Sequence, residues 1–145
     1  TTLSSRFVSL LLGELDAGGG FRYVNAGHPP PILVGAGPAR FLEGTGRVLG
    51  ISRYYRYELS RLHLPVGAML VMYTDGVTEC LSDTEEELGA ERLLRLVGSL
   101  EHVAVSGVVE RLEIWPLRRT SSSPRMTACF ASRRPGKARR PRVKL

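Results

Sequence analysis

The chain has 145 residues, 43% of them hydrophobic, which supports a packed core and excludes wholesale disorder. No apolar run is long enough to span a bilayer, and two cysteines, Cys80 and Cys129, exclude a disulfide framework and a four-cysteine zinc site and fit a reducing compartment. The net charge of +6 is unevenly spread: residues 1–115 hold ten Arg against all 14 acids (−4), residues 116–145 hold eight Arg and two Lys with no acid (+10), so the body is not a nucleic-acid-binding domain by charge.

The N-terminus, Thr1 to Arg6, has neither a basic n-region nor an apolar h-region, so no secretory signal is expected there. It lacks an initiator Met, and the chain is expected to begin within a longer protein. Arg6 to Asp16 is apolar on both alternating faces, the pattern of a strand covered on both sides. Ala17-Gly18-Gly19-Gly20 is a turn, and Phe21 to Asn25 returns as the second strand of a β-hairpin. Ala26-Gly27-His28 and the three prolines after it form a loop, because proline removes backbone donors. Ile32 to Val34 is a short strand, Gly35 to Pro38 a turn, and Arg40 to Glu43 a segment able to pair back. Tyr54 to Leu59 alternates like a half-buried strand. Met69 to Thr74 is almost continuously apolar and reads as a buried central strand, with Asp75-Gly76 at its C-terminal end.

The period changes after Ser82. Leu93, Leu96, Val97 and Leu100 keep helical spacing, as do Val105, Val108, Val109 and Leu112, so two amphipathic helices are expected. Strands followed by helices give an α+β class with helices on an antiparallel sheet. From Trp115 onward Arg, Pro, Ser, Ala and Gly dominate. Three readings stay open for residues 116–145: a disordered basic tail, a tail for nucleic acid or an acidic partner, and an out-of-frame product of a GC-rich gene.

Few residues could carry chemistry. P-loop, HExxH, CxxC and GxSxG motifs are absent. Asp75 follows a buried run, where a lone carboxylate would need hydrogen bonds or a cation, and a hard ion such as Mg²⁺ or Mn²⁺ takes oxygen ligands. Gly76 would let the chain turn sharply beside it. The competing reading is that Asp-Gly merely makes a turn. His28 and Asn25 are equally open to loop chemistry. Glu85-Glu86-Glu87 reads as a solvated acidic stretch that complements the N-terminal end of the helix after it.

The ordered set Phe7-Val8-Ser9-Leu10, Gly13-Glu14-Leu15-Asp16, Tyr23-Val24-Asn25-Ala26-Gly27-His28-Pro29-Pro30, Thr45-Gly46 with Leu49-Gly50-Ile51, Tyr73-Thr74-Asp75-Gly76-Val77-Thr78-Glu79, and Leu88-Gly89 with Glu91-Arg92-Leu93 resembles the stage II sporulation protein E-type branch of the metal-dependent, protein phosphatase 2C-like phosphatases. The resemblance runs from about Arg6 to Trp115, and it implies a partial domain over 1–115 with 116–145 as a separate tail. It implies an antiparallel β-sandwich flanked by helices in four αββα layers, incomplete here. It implies hydrolysis of phosphoserine or phosphothreonine by a water bridging two Mn²⁺ or Mg²⁺ ions. It also implies cytoplasmic bacterial signalling, with an anti-sigma-factor antagonist as the phosphoprotein substrate and a sensor domain upstream. One family metal ligand maps onto this chain, Asp75. Asn25, Gly27, His28 and Gly76 match motif positions near the site.

The sequence departs from the family at three places. The family's first acidic metal motif lies upstream of Thr1. Its Asp-Asp-x-Thr motif has as its nearest counterpart Pro124-Arg125-Met126-Thr127, with no acid, and Ala68 replaces an acid before the central strand. One carboxylate cannot hold two ions, so the chain alone is expected to have little activity. A non-catalytic binding or dimerisation module of the same fold is the alternative.

Overall fold

The structure is a computed structural model that describes residues 7–44, 46–81, 86–114 and 130–133. In chain order the elements are β1 (Leu10–Leu15), β2 (Gly20–Ala26), β3 (Ile32–Val34), β4 (Arg40–Phe41), β5 (Ser60–His63), β6 (Met69–Met72), α1 (Asp75–Thr78), α2 (Gly89–Ser99), α3 (Val105–Ile114) and β7 (Phe130–Arg133). They fall into two units, Thr1–Pro30 with Glu43–Leu64, and Pro31–Leu42 with Pro65–Leu145.

The first unit holds a three-stranded antiparallel sheet in the order β1-β2-β5. The expected hairpin forms, in register from Leu15 opposite Phe21 to Leu10 opposite Ala26. Its turn is closed by Asp16, whose Oδ1 accepts from the Gly20 N–H at 2.8 Å. On one face Phe21 and Tyr23 are buried and stack with ring centroids 5.4 Å apart. Gly13 must lack a side chain for this, because a Cβ would lie 2.7 Å from the Phe21 ring. The other face carries Leu10 and Leu12 beside an exposed Glu14–Arg22 ion pair at 2.7 Å, a pair worth about 0.5 kcal/mol.

Two expectations for this unit need correction. The strand expected to be covered on both sides is exposed: Leu12 is 64% accessible, and Leu10 and Leu15 are also exposed. Apolar residues on both faces of β1 record a surface that the described residues do not cover. Tyr54 to Leu59 is not a strand; β5 begins at Ser60. Tyr55 and Tyr57 there meet edge to face at 4.8 Å in a segment without regular secondary structure.

The second unit holds a four-stranded antiparallel sheet in the order β4-β3-β6-β7. The apolar run at Met69 is central, as its composition requires: β6 lies between β3 and β7, and Met69 to Val71 are buried. Ile32, Val34, Met69 and Val71 join Leu93 and Val97 of α2 and Val108 and Leu112 of α3 in one core. Leu33 and Leu70 lie on the opposite face of the sheet and are buried too. This explains why neither strand alternates. Before β6, Pro65 to Ala68 turns with Ala68 N–H donating to the Pro65 carbonyl at 3.1 Å and Gly67 at φ +85°. Ala68 is buried in this turn. Both expected helices form.

Four residues of the expected basic tail, Phe130 to Arg133, form β7 and pair with β6. A four-residue Phe-Ala-Ser-Arg strand is too short and too mixed to show a period of two. The rest of that expectation, 116–129 and 134–145, lies outside the described residues, as does Cys129.

Candidate functional site

The motif residues of the first unit meet in one turn after β2. Asn25 is 4% exposed and is a buried polar residue. Its amide clamps the loop: Oδ1 accepts from the His28 N–H at 2.8 Å, and Nδ2 donates to the His28 carbonyl at 2.9 Å. Both hydrogen bonds satisfy backbone groups that the prolines beyond could not pair in a ladder. The Asn25 carbonyl accepts from the Gly46 N–H at 2.8 Å, which ties a second loop segment to the same residue.

Between these anchors Gly27 sits at φ +70°. A Cβ there would overlap Val48 Cγ1 and lie 2.9 Å from the Val48 backbone nitrogen. Position 27 therefore requires glycine for both conformation and space. The His28 ring, half-buried, has Nδ1 at 3.3 Å from Ser9 Oγ. Among the described residues no carboxylate hydrogen-bonds to it. The clamp makes Asn25, Gly27 and His28 a backbone-setting group in this unit. Val48 and Ser9 complete the group, and neither carries a sequence signal of that role. Gly46 was within reach of sequence reading as half of the Thr45-Gly46 motif.

Asp75 and Gly76 lie in the second unit. They open α1, a single turn that continues from the end of the central strand. Asp75 is exposed, contrary to the expectation of a buried carboxylate. The buried residues here are Tyr73 and Val77, and the chain leaves the sheet before Asp75. Gly76 is helical and makes no sharp turn; its N–H donates to Asp75 Oδ1 at 2.9 Å. The Asp75 carbonyl accepts from the Glu79 N–H at 2.8 Å and from Thr78 Oγ1 at 3.0 Å, so the turn is held by backbone and leaves the carboxylate at its surface. Beside it Cys80 Sγ donates to the Gly76 carbonyl.

A two-ion centre needs several carboxylates converging on one point. Among the described residues no group of three His, Cys, Asp or Glu side chains is placed to hold a metal. The described residues alone do not fit the two ions. Of the acidic stretch, Glu85 lies outside the described residues, Glu86 is exposed and pairs with Arg92 at 2.9 Å, and Glu87 is exposed. The reading as a solvated helix approach fits this geometry.

A family model for stage II sporulation protein E matches residues 1–113. Protein IcfG of Synechocystis is 36% identical over 90 residues, 61% of this chain and 14% of that protein. Phosphoserine phosphatase RsbU of Bacillus subtilis is 43% identical over 65 residues, 43% of this chain and 19% of that protein. The chain thus spans under a fifth of either relative. Among solved structures, the RsbU and RsbW domains of Rv1364c from Mycobacterium tuberculosis align with a TM-score of 0.60 at 27% identity, covering 80% of this chain and 34% of that one. The phosphatase domain of SpoIIE from Bacillus subtilis aligns with a TM-score of 0.61 at 14% identity, covering 91% and 59%. The antiparallel sheets and their few helices match the protein phosphatase 2C-like fold of these domains, of which the chain holds part. With more than half of its length matched by the family model, the chain belongs to the stage II sporulation protein E family.

Proposed function

We propose that this chain is part of a metal-dependent protein phosphatase of bacterial signalling that hydrolyses phosphoserine or phosphothreonine. The observation that carries the reading is the family match over residues 1–113. Asp75 would supply one carboxylate toward a Mn²⁺ or Mg²⁺ centre, and the remaining ligands would come from residues outside those described. Asn25, Gly27 and His28 set the loop after β2 in the first unit, and in the second unit the Gly76 N–H donates to the Asp75 carboxylate. The phosphatase body is 1–115, and of the basic residues 116–145 the strand Phe130–Arg133 adds to its second sheet. The substrate is a phosphoprotein of the anti-sigma-factor antagonist kind, and a sensor domain precedes the body. Support for this setting comes from the relative named phosphoserine phosphatase and from the structure that joins RsbU and RsbW domains in one protein. The reaction takes place in the cytoplasm; among the described residues no helix is long and apolar enough to cross a membrane.

The test is Mn²⁺-dependent phosphate release from a phosphoserine peptide, by this chain and by a version extended upstream. Activity is expected in the extended version and little in the chain alone, and Asp75→Asn in the extended version should abolish it while leaving its far-UV circular dichroism unchanged. A second reading, a non-catalytic binding or dimerisation module, is favoured by the lack of a carboxylate cluster among the described residues. Inactivity of both versions would select it.

A further inference from the structure

We propose that the loop from Gly46 to Tyr57 is a docking surface for an acidic peptide segment of a partner protein. The segment contains three arginines, three tyrosines and no acid, within a body whose net charge is −4. The acids nearest in sequence, Glu43 and Glu58, lie outside it. Such segregation concentrates positive potential on one loop of an otherwise acidic body. The ion pairs Arg22–Glu14 and Arg92–Glu86 involve none of these arginines. Arg47, Arg53 and Arg56 are all exposed.

The loop is held at its ends and open at its tip. Val8 and Leu49 exchange two backbone hydrogen bonds, at 3.1 and 2.8 Å, and Gly46 donates to the Asn25 carbonyl. Tyr55 and Tyr57 meet edge to face, and the Arg47 guanidinium stands 5.9 Å above the Tyr55 ring. Stacking of this kind fixes a guanidinium while leaving its N–H edge available to an oxygen anion. Between these anchors Gly50 to Tyr54 line an open depression of about 600 Å³. Tyr54 is 86% exposed and Ile51 59% exposed at its rim. A rigid amphipathic ring and an apolar side chain flanked by arginines are the composition of a protein-binding surface. Arginine pairs bidentately with carboxylate or phosphate, so both acidic and phosphorylated side chains suit it. Three arginines on a net-negative body favour a short acidic peptide over a nucleic acid, whose affinity needs many phosphate contacts. The inference does not require catalysis.

The test is an NMR titration of the isotope-labelled full chain with a roughly ten-residue Asp/Glu-rich peptide carrying one phosphoserine. Amide shifts are expected to centre on residues 50–57. R53E/R56E should weaken binding by about tenfold or more, and adding salt should weaken binding to the wild type. Charge reversal in the basic segment, R139E/R140E, should change affinity by no more than about twofold. If R53E/R56E fails to fold by circular dichroism, the milder R53Q/R56Q serves, with the same direction of effect. Shifts confined to other residues, unchanged affinity in the loop variants, or tighter binding of this loop to a single-stranded oligonucleotide of equal length would each overturn the proposal. Phosphatase assays play no part in the readout, so its failure is distinct from failure of the catalytic reading.

Discussion

Replacing Asn25 by Ala removes both hydrogen bonds of the clamp and leaves the His28 N–H and carbonyl without their partner. Each hydrogen bond contributes about 1 kcal/mol net. His28 is half-buried, so water reaches part of what is exposed, and the expected loss is about 2 kcal/mol. Asn25→Asp is the sharper probe. Its carboxylate keeps the bond from the His28 N–H but places an oxygen where Nδ2 donated to the His28 carbonyl at 2.9 Å. A donor–acceptor pair becomes two acceptors around a buried charge, and at neutral pH the loss should exceed that of Ala, at about 3 kcal/mol. Burial and the facing carbonyl raise the folded-state pKa of this new carboxyl above its unfolded value. The deficit of the Asp variant therefore grows as pH rises from the unfolded carboxylate range through the raised folded value. Below that range the protonated acid donates to His28, and the deficit shrinks. Urea unfolding followed by circular dichroism at acid and neutral pH measures both terms. An Ala variant within about 0.5 kcal/mol of wild type, or an Asp variant whose deficit does not change with pH, would refute the clamp as the reason for asparagine at this position.

Gly27→Ala should cost about 2–4 kcal/mol in the same assay, combining the left-handed backbone penalty with displacement of Val48. Tyr73 is buried, and burial pushes its phenol above the usual tyrosine range. The stability it contributes is fully present below the unfolded tyrosine pKa and is lost as pH rises through the higher folded value. Alkaline unfolding should therefore weaken in Tyr73→Phe, as read by circular dichroism against pH. Leu12→Lys puts a charge on the exposed face of β1, an edge strand with a single partner among the described residues, and should reduce self-association in sedimentation velocity without lowering stability by more than about 0.5 kcal/mol.

The elements read correctly in advance are those whose residue pattern has one physical cause. Met69 to Met72 is apolar because both faces of β6 are covered, and Leu93 with Val97 keep a helical period because one face of α2 meets β3. The alternation from Tyr54 to Leu59 does not make a strand, because there it belongs to a tyrosine pair rather than a ladder. β1 forms where its pattern places it but is exposed, because apolar residues on both faces state a need for cover without saying what supplies it. β7 left no signal, since its place depends on an open edge of β6 far away in sequence. At the site, residue type was legible at Asn25 and Gly27, but the reasons lie in partners that carry no motif, the backbone of His28 and the flank of Val48.

Asp75 marks where local reasoning reaches its boundary. An acid after six apolar residues suggests burial, and burial would by itself demand a cation. The structure removes that premise: the carboxylate is exposed at the first turn of α1. What makes the position a ligand candidate is then its place in the family pattern and its geometry together. The backbone-held turn fixes the Asp75 main chain at the strand end, and the Gly76 N–H holds one carboxylate oxygen, Oδ1. A ligand positioned in advance loses little entropy on binding, whereas a ligand buried in advance would have to be charged against its surroundings. If Asp75 is a ligand as proposed, its exposure is compatible with that role. Asp75→Asn in the upstream-extended version should then leave its stability unchanged while lowering its affinity for Mn²⁺ in a calorimetric titration.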